Sequence, residues 1–240
     1  MAAQLKRYFL QIAYKGANYS GWQIQKNAPT VQETMQEKFG KLLQEDLKLI
    51  GCGRTDSRVH ARDFYAHFDS AHELDSNFVE QANRILPRDI WVKNLLVPSN
   101  EKAHARFDAF QREYEYWICT NRNPFYIDLA TYYFHSLDLG QMNDACNCLM
   151  NYEDFETFSK INRNLKHYKC QVYDAQWEQM DDHLLKFTIS ANRFVRGMVR
   201  LLVATLVKVG NGKMSPEDFE YRLAQRDRDL SSDPIQSLSK

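Results

Sequence analysis

Three groups of residues in this 240-residue chain combine side chains that could carry chemistry. The first is Gly51-Cys52-Gly53-Arg54-Thr55-Asp56, which follows a short apolar run. Its glycines let the backbone turn sharply and approach a ligand closely. Asp56 then sits beside Arg54 on a loop, where scaffolds commonly place reactive groups. A carboxylate held against a cation stays ionised at neutral pH and suits the work of a nucleophile or base. The same letters also describe a surface turn with a local ion pair. They do not describe a phosphate loop, because no Lys-Ser/Thr follows the glycines. The second group is the run Asn192 to Val209. Arg193, Arg196 and Arg200 recur there at helical spacing, with Gly197, Ala204 and Lys208 near the same stripe. Phe194, Met198, Leu201, Leu202, Thr205 and Val209 fill the other faces, so such a helix is largely buried. Its arginines must then face water, a carboxylate or a phosphate chain. The third is Arg112-Glu113-Tyr114-Glu115-Tyr116-Trp117. Tyrosines alternating with acids along a strand either stack on unpaired bases or pack into a core.

Other chemistries find less support. His60, His67 and His104 lack an HExxH-type partner and read as structural or surface residues. The five cysteines (Cys52, Cys119, Cys146, Cys148 and Cys170) are scattered without C-x-x-C spacing, which argues against zinc and for free thiols in a reducing, cytoplasmic compartment. A second carboxylate of glycosidase type could lie far away in the chain. No apolar run approaches the ~20 residues of a membrane helix, and no apolar region follows Lys6 and Arg7 as in a secretory signal. Hydrophobic residues at 44% and charged residues at 26% place the chain among ordinary globular proteins. Net charge is zero, yet Lys160 to Lys213 holds ten Lys/Arg against four Asp/Glu, a local excess of +6 that the rest must balance. Such asymmetry fits a face for a polyanion or a solvated basic surface.

These residues need elements to hold them. Aromatic and aliphatic residues predict a strand from Leu5 to Tyr14, followed by a turn at 18–22. Thr30-Val31-Gln32-Glu33 is a capping-box pattern that opens a helix to about Glu45. Short strands are expected at Leu47–Ile50 and Asp63–Phe68, a helix at Asn77–Leu86 stopped by Pro87, and a strand at Ile90–Val97. The second half predicts a strand at Ala109–Thr120 and a helix at Gln141–Met150. A hairpin follows from Tyr168–Met180 and His183–Ala191, turning at Asp181-Asp182. Asn192 is placed as the cap of a long helix ending at Gly210, and Ser215-Pro216 starts a last one. The class is α+β: two α/β subdomains, 1–100 and 101–240, sharing extended antiparallel sheets.

Taken together, the motifs resemble the TruA family of tRNA pseudouridine synthases. The matching stretches are Tyr19-Ser20-Gly21-Trp22-Gln23, Gly53-Arg54-Thr55-Asp56-Ser57-Arg58-Val59-His60-Ala61, Asn83-Arg84-Ile85-Leu86-Pro87-Arg88-Asp89-Ile90 and His104-Ala105-Arg106-Phe107-Asp108-Ala109. Arg112 to Tyr116, Asp154 to Phe158 and Asn192 to Arg200 continue them in family order. The resemblance implies isomerisation of uridine to pseudouridine in the anticodon stem-loop of tRNA, at positions 38 to 40, with neither metal nor organic cofactor. It implies a central active-site cleft between the halves and a homodimer that grips tRNA. By the same resemblance Asp56 is the catalytic aspartate, Arg54 assists base flipping, Arg200 pairs with the aspartate, and Tyr114 packs on the target base. Arg193 and Arg196 would then hold phosphates.

Two departures from the family pattern bear on activity. Arg58 stands where the family has glycine, which costs ~1 kcal/mol or more if the backbone there needs a positive φ. The family also ends on a Gly-Leu-Tyr-Leu type strand, which 231–240 does not contain. Both motivate a second reading, a tRNA-binding protein with impaired catalysis. A third, a sugar-bond hydrolase using Asp56 and a distant acid, rests on mechanism alone.

Overall fold

A computed structural model describes residues 5–160, 166–227 and 229. The chain divides into two units, Met1–Phe110 and Gln111–Lys240. Residues 101–110, assigned from the sequence to the second half, belong with the first. Arg7 Nη1 donates to the Ala103 carbonyl (2.9 Å) and Ala105 N donates to His67 Nδ1 (3.1 Å), which ties this stretch to the first sheet.

That sheet holds β1 (Lys6–Tyr14), β2 (Ile50–Gly51), β3 (Ala61–Ser70) and β4 (Ile90–Leu96) in the order β2-β3-β1-β4, all antiparallel. Period-two alternation puts Tyr8, Leu10, Ile12 and Tyr14 on one face, where Tyr8, Leu10 and Ile12 stand opposite Phe68, Ala66 and Phe64. Two helices cover this face: α1 (Val31–Leu43) and α2 (Ser76–Ile85). α1 starts where the capping pattern predicts, with the Thr30 hydroxyl accepting from Glu33 N, and buries Val31, Met35, Phe39 and Leu43. Phe39, Phe68 and Phe78 then meet with ring centroids 5.4 to 6.4 Å apart, joining both helices to the sheet. Of the strand expected at Leu47–Ile50 only Ile50 enters the ladder, which continues to Gly51.

The second unit carries a sheet of β5 (Arg112–Cys119), β6 (Thr131–Tyr132), β7 (Val172–Asp181) and β8 (Leu184–Ala191) in the order β6-β5-β8-β7. β5 and β6 run parallel, and the other pairs are antiparallel. Tyr114, Tyr116 and Ile118 face Ile189, Phe187 and Leu185, and Ala175 and Trp177 extend these rows across β8. The helices are α3 (Leu139–Asn147), α4 (Met198–Gly210) and α5 (Pro216–Ala224). α5 begins at the predicted cap, with Ser215 Oγ accepting from Asp218 N and Pro216 in the first turn. The hairpin turn after Asp181 is also as read, with the Asp181 carboxylate accepting from His183 N.

The long helix predicted from Asn192 is corrected. α4 begins at Met198, so Asn192 to Gly197 lie outside the helix. Asn192 instead closes the sheet end: its side chain accepts from Gln171 N and its carbonyl from Arg112 Nη1. Gly197, at φ +81°, occupies the N-cap position in left-handed backbone that other residues rarely adopt. From Leu201 to Val207 every side chain is buried, as the apolar circumference requires. The tail 231–240, on which the missing-strand expectation falls, lies outside the described residues. Among the described residues no helix is long and apolar enough to cross a membrane.

Candidate active-site loop and arginine segment

The loop bearing Asp56 leaves β2 and returns as β3, and the turn at 16–22 forms its bed. Tethers flank the aspartate on both sides. Before it, Trp22 N donates to the Thr55 carbonyl (3.2 Å), and the Tyr14 and Thr55 hydroxyls share a hydrogen bond of 2.9 Å. After it, Arg58 N donates to the Tyr19 carbonyl (3.1 Å), Val59 N to the Asp56 carbonyl (3.2 Å), and Gly16 N to His60 Nδ1 (3.0 Å). His60 Nδ1 thus helps brace the loop against the turn.

Two glycines make this contact possible. A Cβ on Gly21, whose φ is +97°, would stand 2.4 Å from the Thr55 carbonyl oxygen. One on Gly16 would stand 2.0 Å from that of Val59. Both distances lie well inside van der Waals contact with backbone that cannot swing away. The loop is thus fixed by main-chain packing, while the Asp56 and Arg54 side chains are exposed. Within the first unit neither has an ion pair or side-chain hydrogen bond among the described residues, so the local Arg54–Asp56 pair is not formed. Arg58 has φ +65°, the left-handed region that its place in the family pattern put in question.

Tyr19 links this bed to a second motif. Its hydroxyl donates to Asp89 Oδ1 (2.8 Å), Asn18 Nδ2 donates to Asp89 Oδ2 (3.1 Å), and Lys15 N donates to the Asp89 carbonyl (2.8 Å). Burial, then the Asp89 carboxylate, pushes the Tyr19 phenol well above its usual pKa. Neither residue stood out from spacing, because they are 70 positions apart. The signal was their membership in two separate matching stretches.

In the second unit Tyr114 is half-buried near the start of β5 and packs against the core. The ring of Phe194 meets it edge-on, with centroids 5.0 Å apart at 84°. Phe194 belongs to the non-helical segment 192–197, so Arg193 and Arg196 leave from loop backbone and Arg200 from the first turn of α4. They do not share one helical stripe. Arg196 and Arg200 are exposed and Arg193 is half-buried. The Arg196 carbonyl accepts from Lys160 N (3.1 Å), and the methylenes of Lys160 lie over Gly197. Arg193 lies near Cys170, whose thiol burial pushes up to about 11 against the arginine's opposing pull. Lys160, Arg196 and Arg200 thus gather positive charge around the start of α4, a helix end that already favours anions. Among the described residues no group of three or more His, Cys, Asp or Glu could hold a metal ion.

Comparison with known proteins covers both units. A family model described as tRNA pseudouridine synthase matches residues 149–237. A Bacteroides fragilis protein named tRNA pseudouridine synthase A is 42% identical over 226 residues, 93% of this chain and 89% of the relative. Proteins of the same name from Parabacteroides distasonis and Porphyromonas gingivalis are 41% and 38% identical, over 93% and 98% of this chain and 89% and 95% of their own lengths. A match of this extent runs through the Asp56 loop, its bed and the arginine segment alike, and it establishes that the chain belongs to the tRNA pseudouridine synthase A family.

Proposed function

We propose that the chain isomerises uridine to pseudouridine in tRNA, at positions 38 to 40 of the anticodon stem-loop, with Asp56 as the catalytic carboxylate. The observation that carries this reading is the Asp56 loop, an exposed carboxylate whose neighbours on both sides are hydrogen-bonded to one bed. The names of the relatives supply the substrate class.

The reaction breaks the bond between uracil N1 and ribose C1′, with the electron pair leaving on the base. The base turns, C5 bonds to C1′, C5 gives up its proton and N1 gains one. Atoms and electrons balance without an oxidant, metal or cofactor. The sugar carbon that develops positive charge needs an anion nearby, and Asp56 supplies it, either by attack on C1′ or by removing a proton from the sugar. Arg200 is the cationic partner read for this carboxylate, and its loss should lower turnover. A uridine within a stem must leave the stack before it reacts. Arg54 fills the space it vacates, and Tyr114, braced by Phe194, receives the base. Arg193 and Arg196 hold phosphates and set register without reading sequence. Two copies of the chain grip one tRNA, in the cytoplasm.

Tritium release from tRNA labelled at uracil C5, run beside Asp56→Ala, tests the reading. Release that requires Asp56 supports it. Binding without release in both proteins means a tRNA-binding protein with impaired catalysis, the reading that the strained Arg58 favours. Free uracil in the medium means a hydrolase.

A further inference from the structure

We infer that Tyr19 and Asp89 act together as a positioning pair for Asp56, an inference that rests on the catalytic reading of that residue. The pair reaches the loop through the main chain. The Asp89 carboxylate fixes the Tyr19 hydroxyl and the Asn18 amide, and its carbonyl fixes Lys15 N. Tyr19 and Asn18 lie in the turn on which the loop rests, and Lys15 immediately precedes it. The Tyr19 carbonyl then accepts from Arg58 N, two residues past Asp56. On the other side, Trp22, from the same turn, holds the Thr55 carbonyl. Asp56 is therefore suspended between two hydrogen bonds that share one support, and Asp89 secures that support against β4.

The chemistry suits the task. Tyr19 is almost fully buried, so its hydroxyl would bear a desolvation penalty without an acceptor. A carboxylate is the strongest acceptor available for it, and its two oxygens serve two donors at once. The effect on the reaction is geometric: an exposed carboxylate has few contacts of its own to hold it, so the backbone on either side sets where it meets the ribose. Displacing a reacting group by about 1 Å can cost on the order of a hundredfold in rate.

The experiment compares wild type, Tyr19→Phe, Asp89→Ala, the double variant and Asp56→Asn on an unmodified tRNA transcript. Each is measured for kcat and KM by tritium release, and for hydrogen–deuterium exchange in the peptide covering 54–60. Tyr19→Phe keeps the ring in place and removes only the hydroxyl. The expected result is faster exchange in 54–60, a fall in kcat of about tenfold, and a KM changed less than twofold. The double variant should be no worse than the poorer single variant, because the two residues act as one device. Unchanged exchange in 54–60 in Tyr19→Phe overturns the inference whatever the rate. So does faster exchange with wild-type kcat, or additive losses in the double variant. Asp56→Asn separates the two levels. If it retains wild-type turnover, the catalytic reading fails and the positioning role fails with it. If it is inactive, any failure above belongs to the positioning pair alone.

Discussion

Arg58→Gly isolates the strain stored next to the proposed catalytic carboxylate. Arg58 is held at φ +65° by the hydrogen bond from its own amide to the Tyr19 carbonyl, so the loop cannot relax by rotating it away. A left-handed conformation costs a residue with a Cβ about 1 to 2 kcal/mol, and glycine escapes it. Glycine also gives the unfolded chain more freedom, which takes back roughly 0.4 to 1 kcal/mol. Surface interactions of an exposed arginine take back a few tenths more, by the ~0 to 1 kcal/mol typical of such contacts. The net expectation is a gain of about 0.5 kcal/mol and a Tm higher by roughly 1 to 2 °C for a chain of this size. Arg226→Gly is the control in the other unit, just past α5: its φ is +55°, and the substitution also removes its ion pair with Asp154 (3.3 Å), which takes back part of the gain. Differential scanning calorimetry should show both variants stabilised. Tritium release should show turnover unchanged or raised in Arg58→Gly and unchanged in Arg226→Gly. A lower Tm for Arg58→Gly beside a higher one for Arg226→Gly would refute the strain argument. A collapse of turnover in Arg58→Gly would show that the guanidinium has been recruited into the reaction.

Three more outcomes are expected. Gly21→Ala drives a methyl group to within 2.4 Å of the Thr55 carbonyl in positive-φ backbone, so urea unfolding should show a loss of about 2 to 3 kcal/mol, and the folded fraction should turn over at least roughly tenfold more slowly. Arg196→Ala should weaken tRNA binding and reduce the slope of log affinity against log salt by about one; an unchanged slope would remove Arg196 from the phosphate face. Stability should fall in mild acid through His67. Burial, helped by the Arg7 and His104 charges, pulls its pKa down to about 4, so between its unfolded value near 6.5 and about 4 the unfolded chain binds a proton that the folded chain refuses. Stability from this residue is whole above pH 6.5 and lower by about 2 kcal/mol at pH 5; His67→Gln, followed by urea unfolding at pH 7.5 and 5, should lose most of that difference.

Local chemistry made much of the fold legible. Thr30 with Glu33, and Ser215 with Pro216, marked two helix starts to the residue, because a cap is a contact between near neighbours. The alternation of Phe64, Ala66 and Phe68 marked β3 for the same reason. Asn192 misled because it combines a good capping side chain with arginines at helical spacing. The contrary signal was Gly197, whose missing Cβ permits the left-handed backbone that starts the helix six residues later. Of the candidate site, Asp56, Arg54, Tyr114 and the arginines stood out by residue type. Tyr19, Asp89 and the packing of Gly16 and Gly21 did not, since their partners lie 34 to 70 positions away and only the folded chain brings them together.

The order in which the support is synthesised has a consequence for the nascent chain. Residues 14–22 leave the ribosome before the reactive loop, but the acid that locks Tyr19 emerges more than thirty residues after it, on the far side of β3 and α2. Until that stretch has been made and β4 has docked beside β1, the carboxylate is present without its final geometry. On the proposed reading, an incomplete chain therefore lacks the geometry that turnover requires, just as it lacks Tyr114 and Arg200.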